Sequence, residues 1–230
     1  MSKLVNSATF RATHALEKMR DKKYLEIYQR MKTQTMVYPD VYIANLKLAE
    51  KFSKIEGDVV ECGVWKGGMI GGIAALLGSS RTYHLFDSFE GLPAPKEVDG
   101  QSAINWSKNT EGAEYYDNCT AAVSDAETSM QLANVSNYRI YKGYFENTLK
   151  NLDPSVRIAL LRLDGDWYDS TIVCLRTLFD AVVPGGGVLI DDYYAWDGCA
   201  RAVHDFVKER EEVVRLHQFD NRVCYLIKNG

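Results

Sequence analysis

The run Asp58-Val59-Val60-Glu61-Cys62-Gly63-Val64-Trp65-Lys66-Gly67-Gly68 decides the fold. Residues 58–62 read as a buried strand, because a strand covered on both faces shows a near-continuous apolar run. The glycine-rich stretch from Gly63 to Gly72 follows, and an apolar helix continues through Leu77. Glycines let the backbone approach a ligand closely, and the first turn of a helix offers N–H groups with no partner inside the helix. A strand, a glycine turn and a helix in that order make a ligand-binding turn at the edge of an open α/β sheet.

The same alternation extends along the chain. Tyr83-His84-Leu85-Phe86-Asp87 reads as a second strand, Tyr138-Arg139-Ile140-Tyr141 as a third and Ile158 to Asp164 as a fourth. A turn at Pro184-Gly185-Gly186-Gly187 leads to a fifth at Val188-Leu189-Ile190-Asp191. Helices are expected at 119–133, near 146–151, at 169–181 and at 197–210, with final strands near 213–219 and 222–227. Asp169 or Ser170 is the expected cap of helix 169–181. Apolar strands separated by helices predict a mostly parallel sheet with helices on both faces, closed by an antiparallel terminal strand.

Two segments lie outside this rhythm. Residues 11–54 read as helical in two stretches interrupted near Tyr38-Pro39, so 1–54 is expected to be a helical N-terminal extension of a catalytic core at 55–230. Residues 90–118 carry Gly91, Pro93, Pro95, Gly100 and Gly112 among polar residues, which predicts a long irregular insertion acting as a lid. Its Trp106, Tyr115 and Tyr116 suit lid packing and ligand stacking equally.

Composition narrows the classes of function. The chain has 230 residues and is 46% hydrophobic, enough for one α/β domain with its own core. Its 27 basic and 31 acidic residues, net charge -4, form no basic stripe that tracks a phosphate backbone, so nucleic acid is not an expected partner. The five cysteines, Cys62, Cys119, Cys174, Cys199 and Cys224, contain no C-x-x-C pair and read as reduced thiols. The first residues include Arg11, Lys18, Arg20 and Asp21 and lack the apolar core of a signal peptide or membrane span, which makes a cytoplasmic location the expectation. His14, His84, His204 and His217 stand beside no candidate nucleophile.

The turn after residue 62 selects its ligand. A dinucleotide fingerprint needs a glycine two positions after Gly63, so that a pyrophosphate reaches the backbone; Trp65 stands there instead. The pattern E-x-G-x-x-x-G suits a ligand without phosphates, and Asp87, about 20 residues further on, is placed to accept the hydroxyl protons of a ribose. Backbone contacts for an amino-acid end and a carboxylate for a ribose describe S-adenosylmethionine. Glu61 either joins that site or only anchors the turn.

A second group of acids lies at the ends of the fourth and fifth strands. Leu163-Asp164-Gly165-Asp166 and Ile190-Asp191-Asp192 each run from an apolar strand into carboxylates, and neighbouring strands lie about 4.8 Å apart. Asp164, Asp191 and Asp192 would then crowd one corner, where carboxylates repel one another unless protonated or metal-bound. Taken singly, each is a solvated strand end or helix cap, and Asp166 fits that bland role best. Taken together, oxygen-only ligands favour a hard cation such as Mg²⁺. Such an ion lowers the pKa of an acceptor hydroxyl and fixes it for methyl transfer, with Asp164 or a metal-bound water taking the proton.

Five blocks carry a family resemblance: Gly57 to Gly68; Phe86-Asp87-Ser88-Phe89-Glu90-Gly91-Leu92-Pro93; Lys142-Gly143-Tyr144-Phe145-Glu146-Asn147-Thr148-Leu149; Leu163 to Thr171; and Pro184 to Tyr193. In order and spacing they resemble the macrocin O-methyltransferase family, which methylates sugar hydroxyls of macrolide and aminocoumarin natural products, over about residues 55–210. The resemblance implies a Rossmann-like class I methyltransferase fold, a homodimer and a requirement for S-adenosylmethionine and Mg²⁺. It implies Asp164, Asp191 and Asp192 as metal ligands and Asp164 as the catalytic base. It places Glu61, Gly63, Trp65, Gly67, Asp87 and Ser88 against the cofactor, with Gly143, Tyr144 and Phe145 near the adenine and Ser124 and Asp125 contributing there. The expected acceptor is a small-molecule hydroxyl, a sugar or other glycoside. A catechol methyltransferase with similar acids and a non-catalytic S-adenosylmethionine-binding protein are the alternatives. The N-terminal region and residues 94–118 show no pattern that aligns with the family, and they are where related enzymes build the acceptor pocket.

Overall fold

The computed structural model describes residues 21–230. The expectations for residues 1–20, including the first part of the helical extension and His14, lie outside the described residues. A helix α1 at 21–31 and α2 (Pro39–Lys51) precede the sheet, with the break between them N-terminal to Pro39 as predicted. Pro39 occupies the first turn of α2, where a missing N–H costs nothing.

Among the described residues, seven strands form one sheet in the order β3-β2-β1-β4-β5-β7-β6. They are β1 (Asp58–Cys62), β2 (Tyr83–Asp87), β3 (Tyr138–Lys142), β4 (Ile158–Leu163), β5 (Val182–Ile190), β6 (Leu216–Phe219) and β7 (Val223–Ile227). β1 to β5 are parallel; β7 runs antiparallel between β5 and β6. Two antiparallel pairings close the sheet, matching the two terminal strands expected from the sequence.

Helices α3 (Gly68–Leu77), α4 (Gly100–Lys108), α6 (Val123–Leu132), α7 (Phe145–Thr148), α8 (Tyr168–Leu178) and α9 (Asp197–Glu209) follow, with α5 (Tyr116–Cys119) a single left-handed turn rather than a regular helix. A core including Met31, Leu46, Ile70 and Met130 lies on one face of the sheet, and a second including Leu161, Leu175, Val203 and Phe206 on the other. The split follows from strand alternation: within β4, Leu160 joins the first core and Leu161 the second.

The structure corrects three expectations. Pro184 to Gly187 is not a turn before the fifth strand but part of β5, where Gly185 N–H pairs with Lys228 O and the β4 register shifts past Ile158. Gly187 belongs there because a Cβ would strike the Phe52 ring. The 90–118 insertion is not irregular throughout, since it contains a short helical turn at Glu97–Asp99 and helix α4. Helix α8 is not capped by Asp169 or Ser170. Its N-cap is Trp167, whose side chain makes no capping bond, and Asp99 Oδ1 of the insertion accepts the Tyr168 N–H at 2.7 Å.

Candidate active site

The carboxyl ends of β1, β2, β4 and β5 converge on one cavity of about 770 Å³. Glu61, Gly63, Trp65, Asp87, Ser88, Tyr144, Phe145, Asp164, Asp191 and Asp192 all line it. Gly67, Gly143 and Ser124 are not among the lining residues. Gly67 is the N-cap of α3 at φ +80° and gives α6 room, because a Cβ would crowd Ala126. Gly143 turns the chain at φ +136° and its N–H donates to Asp87 O at 2.8 Å. Ser124 is exposed, with its carbonyl accepting the Thr128 hydroxyl.

The β1 turn is shaped by close approach. Gly63 has φ +88°, and a Cβ there would overlap the Asp164 carbonyl of the neighbouring strand end. Asp87 organises the turn from the side. Its Oδ2 accepts the Val64 and Trp65 N–H groups at 2.7 Å each, and its Oδ1 accepts the Phe89 N–H at 2.6 Å. Burial still holds its carboxyl above the usual range, partly offset by those three donors. Oδ1 retains acceptor capacity. Ser88 Oγ donates to Gly91 O and so ties the end of β2 to the start of the insertion.

The three aspartates meet as the strand ends predict. β4 and β5 pair Leu163 with Ile190, which sets Asp164 beside Asp191. One carboxylate oxygen from each of Asp164, Asp191 and Asp192 lies within 4.8 Å of the others. Burial and the neighbouring acids push the Asp192 carboxyl well above its ordinary value, and burial raises Asp164 despite the attraction of Arg162. Three hard oxygen donors at that spacing fit a divalent ion such as Mg²⁺.

Sequence reasoning missed the residue beneath them. Arg162, in the middle of β4, is 0% exposed. Its Nη1 donates to Glu61 Oε1 at 2.6 Å and to Asp164 Oδ2 at 2.7 Å. Nη2 lies 2.6 Å from Asp191 Oδ1, near enough for charge attraction but without a directed hydrogen bond. Asn45 of α2 links the same group, accepting from Arg162 Nε at 3.3 Å and donating to Asp191 Oδ1 at 3.2 Å. Burial opposes the guanidinium charge, but Asp164, Asp191 and Glu61 outweigh it and hold its pKa above the ordinary value. A charged residue inside the apolar run Ile158 to Leu163 was the available signal.

Glu61 is 1% exposed, and burial pushes its carboxyl up to about 8. Its Oε2 has no partner among the described residues although it is buried, and Glu61 lines the cavity. An orphaned acceptor of this kind fits a donor on a bound ligand, such as the ammonium of an amino-acid moiety. Asp166 is not a solvated strand end. Its N–H donates to Asp192 Oδ2 at 2.9 Å, its Oδ1 accepts Trp196 Nε1–H at 2.8 Å, and burial with Asp164 raises its pKa.

The remaining walls come from both segments outside the rhythm. Gln34 to Tyr38 and Val41 supply one side; Gly91 to Pro93, Glu114, Tyr116 and Cys119 of the insertion supply another. Tyr38 donates to Glu114 Oε1 at 3.3 Å and Trp65 Nε1–H to Thr120 O at 3.1 Å, so the insertion is tied to the segment before α2, and the chain leaving it to the β1 turn. Residues 116–119 all have positive φ without a glycine, a strained left-handed turn at the cavity wall. Trp106 serves packing, against Tyr115, Trp167 and Trp196.

A mostly parallel sheet of this order, with a glycine turn after β1 and acids at the ends of β2, β4 and β5, is that of the class I methyltransferases. Solved structures agree: the O-methyltransferase NovP superposes with TM-score 0.69 at 25% identity, covering 86% of this chain and 83% of that one. An S-adenosylhomocysteine-bound methyltransferase of Podospora anserina, PaMTH1, gives 0.59 at 13% identity over 96% of each chain.

The chain belongs to the Macrocin-O-methyltransferase (TylF) family, whose profile matches residues 42–228. It is similar to a tetracenomycin-C rhamnosyl 4'-O-methyltransferase of Streptomyces olivaceus, 37% identical over 163 residues, or 66% of this chain and 58% of that protein. It is also 35% identical over 162 residues to demethyldecarbamoylnovobiocin O-methyltransferase of Streptomyces niveus, 67% of this chain and 59% of that protein. The matches thus span about three fifths of these relatives' length.

Proposed function

We propose that this chain methylates a hydroxyl of a small-molecule acceptor, with S-adenosylmethionine as methyl donor and Mg²⁺ as an essential ion. The net reaction yields a methyl ether, S-adenosylhomocysteine and one proton. The observation that carries it is the convergence of Asp164, Asp191 and Asp192 in the same cavity as the Glu61–Gly63 turn and Asp87. Family membership supports the reaction class. The Streptomyces olivaceus relative, named for a rhamnosyl tetracenomycin-C substrate, supports a sugar hydroxyl as acceptor.

Asp164, Asp191 and Asp192 would hold the ion. When bound, S-adenosylmethionine supplies an electrophilic methyl group and the ion lowers the pKa of the acceptor hydroxyl. The chain's own groups do the rest. Glu61 Oε2 receives the donor end of the cofactor's amino-acid moiety, and Asp87 Oδ1 has capacity for a ribose hydroxyl. Ser88, Tyr144 and Phe145 line the remainder of the cofactor's space. Gly63 keeps the turn close enough for backbone contact. Asp164 would take the acceptor proton. Arg162 holds Glu61, Asp164 and Asp191 together when ligand charge is absent. The insertion, tied at Tyr38 and Trp65, excludes water that competes for the methyl group.

No described helix is long and apolar enough to cross a membrane; we infer a cytoplasmic homodimer from the family. Incubation with S-adenosylmethionine and a panel of glycosides tests the reading. Methyl transfer is expected to stop on adding EDTA and return with Mg²⁺. Transfer that survives both chelation and Asp191→Ala overturns it.

A further inference from the structure

Trp196 follows the carboxylate pair of β5 by four residues and lines the cavity. Its place relative to the three aspartates is set by bonds. Its backbone N–H donates to Asp192 O at 3.0 Å, and its Nε1–H donates to Asp166 Oδ1, whose own N–H donates to Asp192 Oδ2. The indole is also wedged edge to face against Trp167, with centroids 5.2 Å apart, and against Trp106 at 6.3 Å. Trp167 is in turn 2% exposed and bonded through Nε1–H to Pro93 O. Nε1, the ring's one polar atom, is already used, so the ring surface left to the cavity is wholly apolar.

We propose that Trp196 is the stacking platform for the acceptor ring and selects a pyranose over a catechol. The proposal rests on the methyltransferase reading above. An acceptor hydroxyl held beside Asp164, Asp191 and Asp192 brings its parent ring next to the indole that those bonds fix. Donation of Nε1–H to a carboxylate pushes electron density into the indole. An electron-rich face attracts electropositive C–H groups, which a pyranose presents on its apolar face. A catechol presents another electron-rich ring, which avoids a face-to-face sandwich on the indole and would have to sit offset or edge-on. The indole is held before the acceptor arrives, so little side-chain entropy is lost on binding. Trp196 is a specificity-determining residue here, with no part in proton transfer.

Calorimetry on the full chain, saturated with S-adenosylhomocysteine and Mg²⁺, tests this. The probes are methyl and p-nitrophenyl glycopyranosides and a set of simple catechols. At least one pyranoside is expected to bind the wild type more tightly than every catechol. Trp196→Phe, which keeps an aromatic face, is expected to bind that pyranoside within about threefold, and Trp196→Leu about tenfold more weakly. S-adenosylhomocysteine affinity is expected to be unchanged in both. Should Trp196→Leu fail to fold, Trp196→Met is held to the same expectation.

Four results overturn the proposal: an aliphatic variant that binds the pyranoside like wild type; equal loss in Trp196→Phe and the aliphatic variant, which assigns the effect to the Asp166 bond; preference for a catechol; or no pyranoside binding while S-adenosylhomocysteine binds. Failure of S-adenosylhomocysteine to bind the wild type is a different result, and it removes the methyltransferase reading itself.

Discussion

Arg162 Nη1 donates to Asp164 Oδ2 at 2.7 Å, so the proposed base is anchored from beneath by a fully buried guanidinium. The same nitrogen bonds Glu61, and Nη2 faces Asp191. Removing one partner of a buried ion cluster leaves charges that nothing offsets. Arg162→Met is therefore expected to lower the free energy of unfolding by about 3–5 kcal/mol. Urea denaturation in EDTA measures it. Wild-type stability in that variant would mean that the acids accommodate the loss by staying protonated.

Asp191 and Asp192 leave β5 side by side, yet their surroundings differ. Asp191 leans on Arg162 and Asn45, whereas Asp192 Oδ2 accepts the Asp166 N–H and has no contact with Arg162 among the described bonds. Both are proposed to hold the ion, so Asp191→Asn and Asp192→Asn should each abolish the rise in Tm that Mg²⁺ gives the wild type. At an ion concentration about 100 times Kd that stabilisation is about 2.7 kcal/mol. Methyl transfer should fall at least as far as the 10–100-fold typical of losing a supporting group around a metal. A Mg²⁺-induced Tm shift preserved in both variants would place the ion elsewhere.

Glu61 makes stability depend on pH in a direction opposite to that of a salt-bridged surface acid. Its carboxyl titrates near 8 in the fold and near 4.5 in an unfolded chain, so between those values the native state binds more protons. The unfolding free energy contributed by this group then falls as pH rises through that window. Metal-free wild type should lose Tm between pH 5.5 and 8 more steeply than Glu61→Gln, which carries no titrating group there. Parallel Tm profiles for the two proteins would show that Glu61 is ionised throughout.

The convergence of Asp164 with Asp191 and Asp192 was legible in the sequence because all three end apolar strands that a parallel sheet sets side by side. The Gly63 turn was legible for a similar local reason, since the glycine spacing and the apolar run lie within a dozen residues. What was hidden depends on distance along the chain. Asn45 reaches Arg162 across 117 residues, from a helix whose pattern shows only an apolar face. Arg162 itself stood out as a charge within an apolar strand, but its partners are visible only once β1, β4 and β5 are adjacent. From the sequence Asp166 reads as a solvated strand end, because its partner, Trp196, sits 30 residues away.

Asp99 shows how the insertion is fastened to the site. It is 3% exposed; Oδ1 accepts the Tyr168 N–H at 2.7 Å and Oδ2 accepts the Lys96 N–H at 2.7 Å. One carboxylate thus caps α8, the helix that follows the Asp164 loop, and fixes the chain entering α4. Gly198 packs against it so closely that a Cβ would collide with its carboxylate. Loss of a helix cap costs about 1–2 kcal/mol, and the Lys96 N–H would lose its acceptor as well. Asp99→Ala is expected to destabilise the protein by at least that amount while leaving S-adenosylhomocysteine affinity near wild type, because no cofactor-facing group changes. The insertion wall is expected to loosen, seen as faster hydrogen exchange across 100–119 than in β1 or β4. Exchange that speeds up equally in the insertion and the sheet would mean that Asp99 holds the whole fold together, and the insertion would then have no separate anchor.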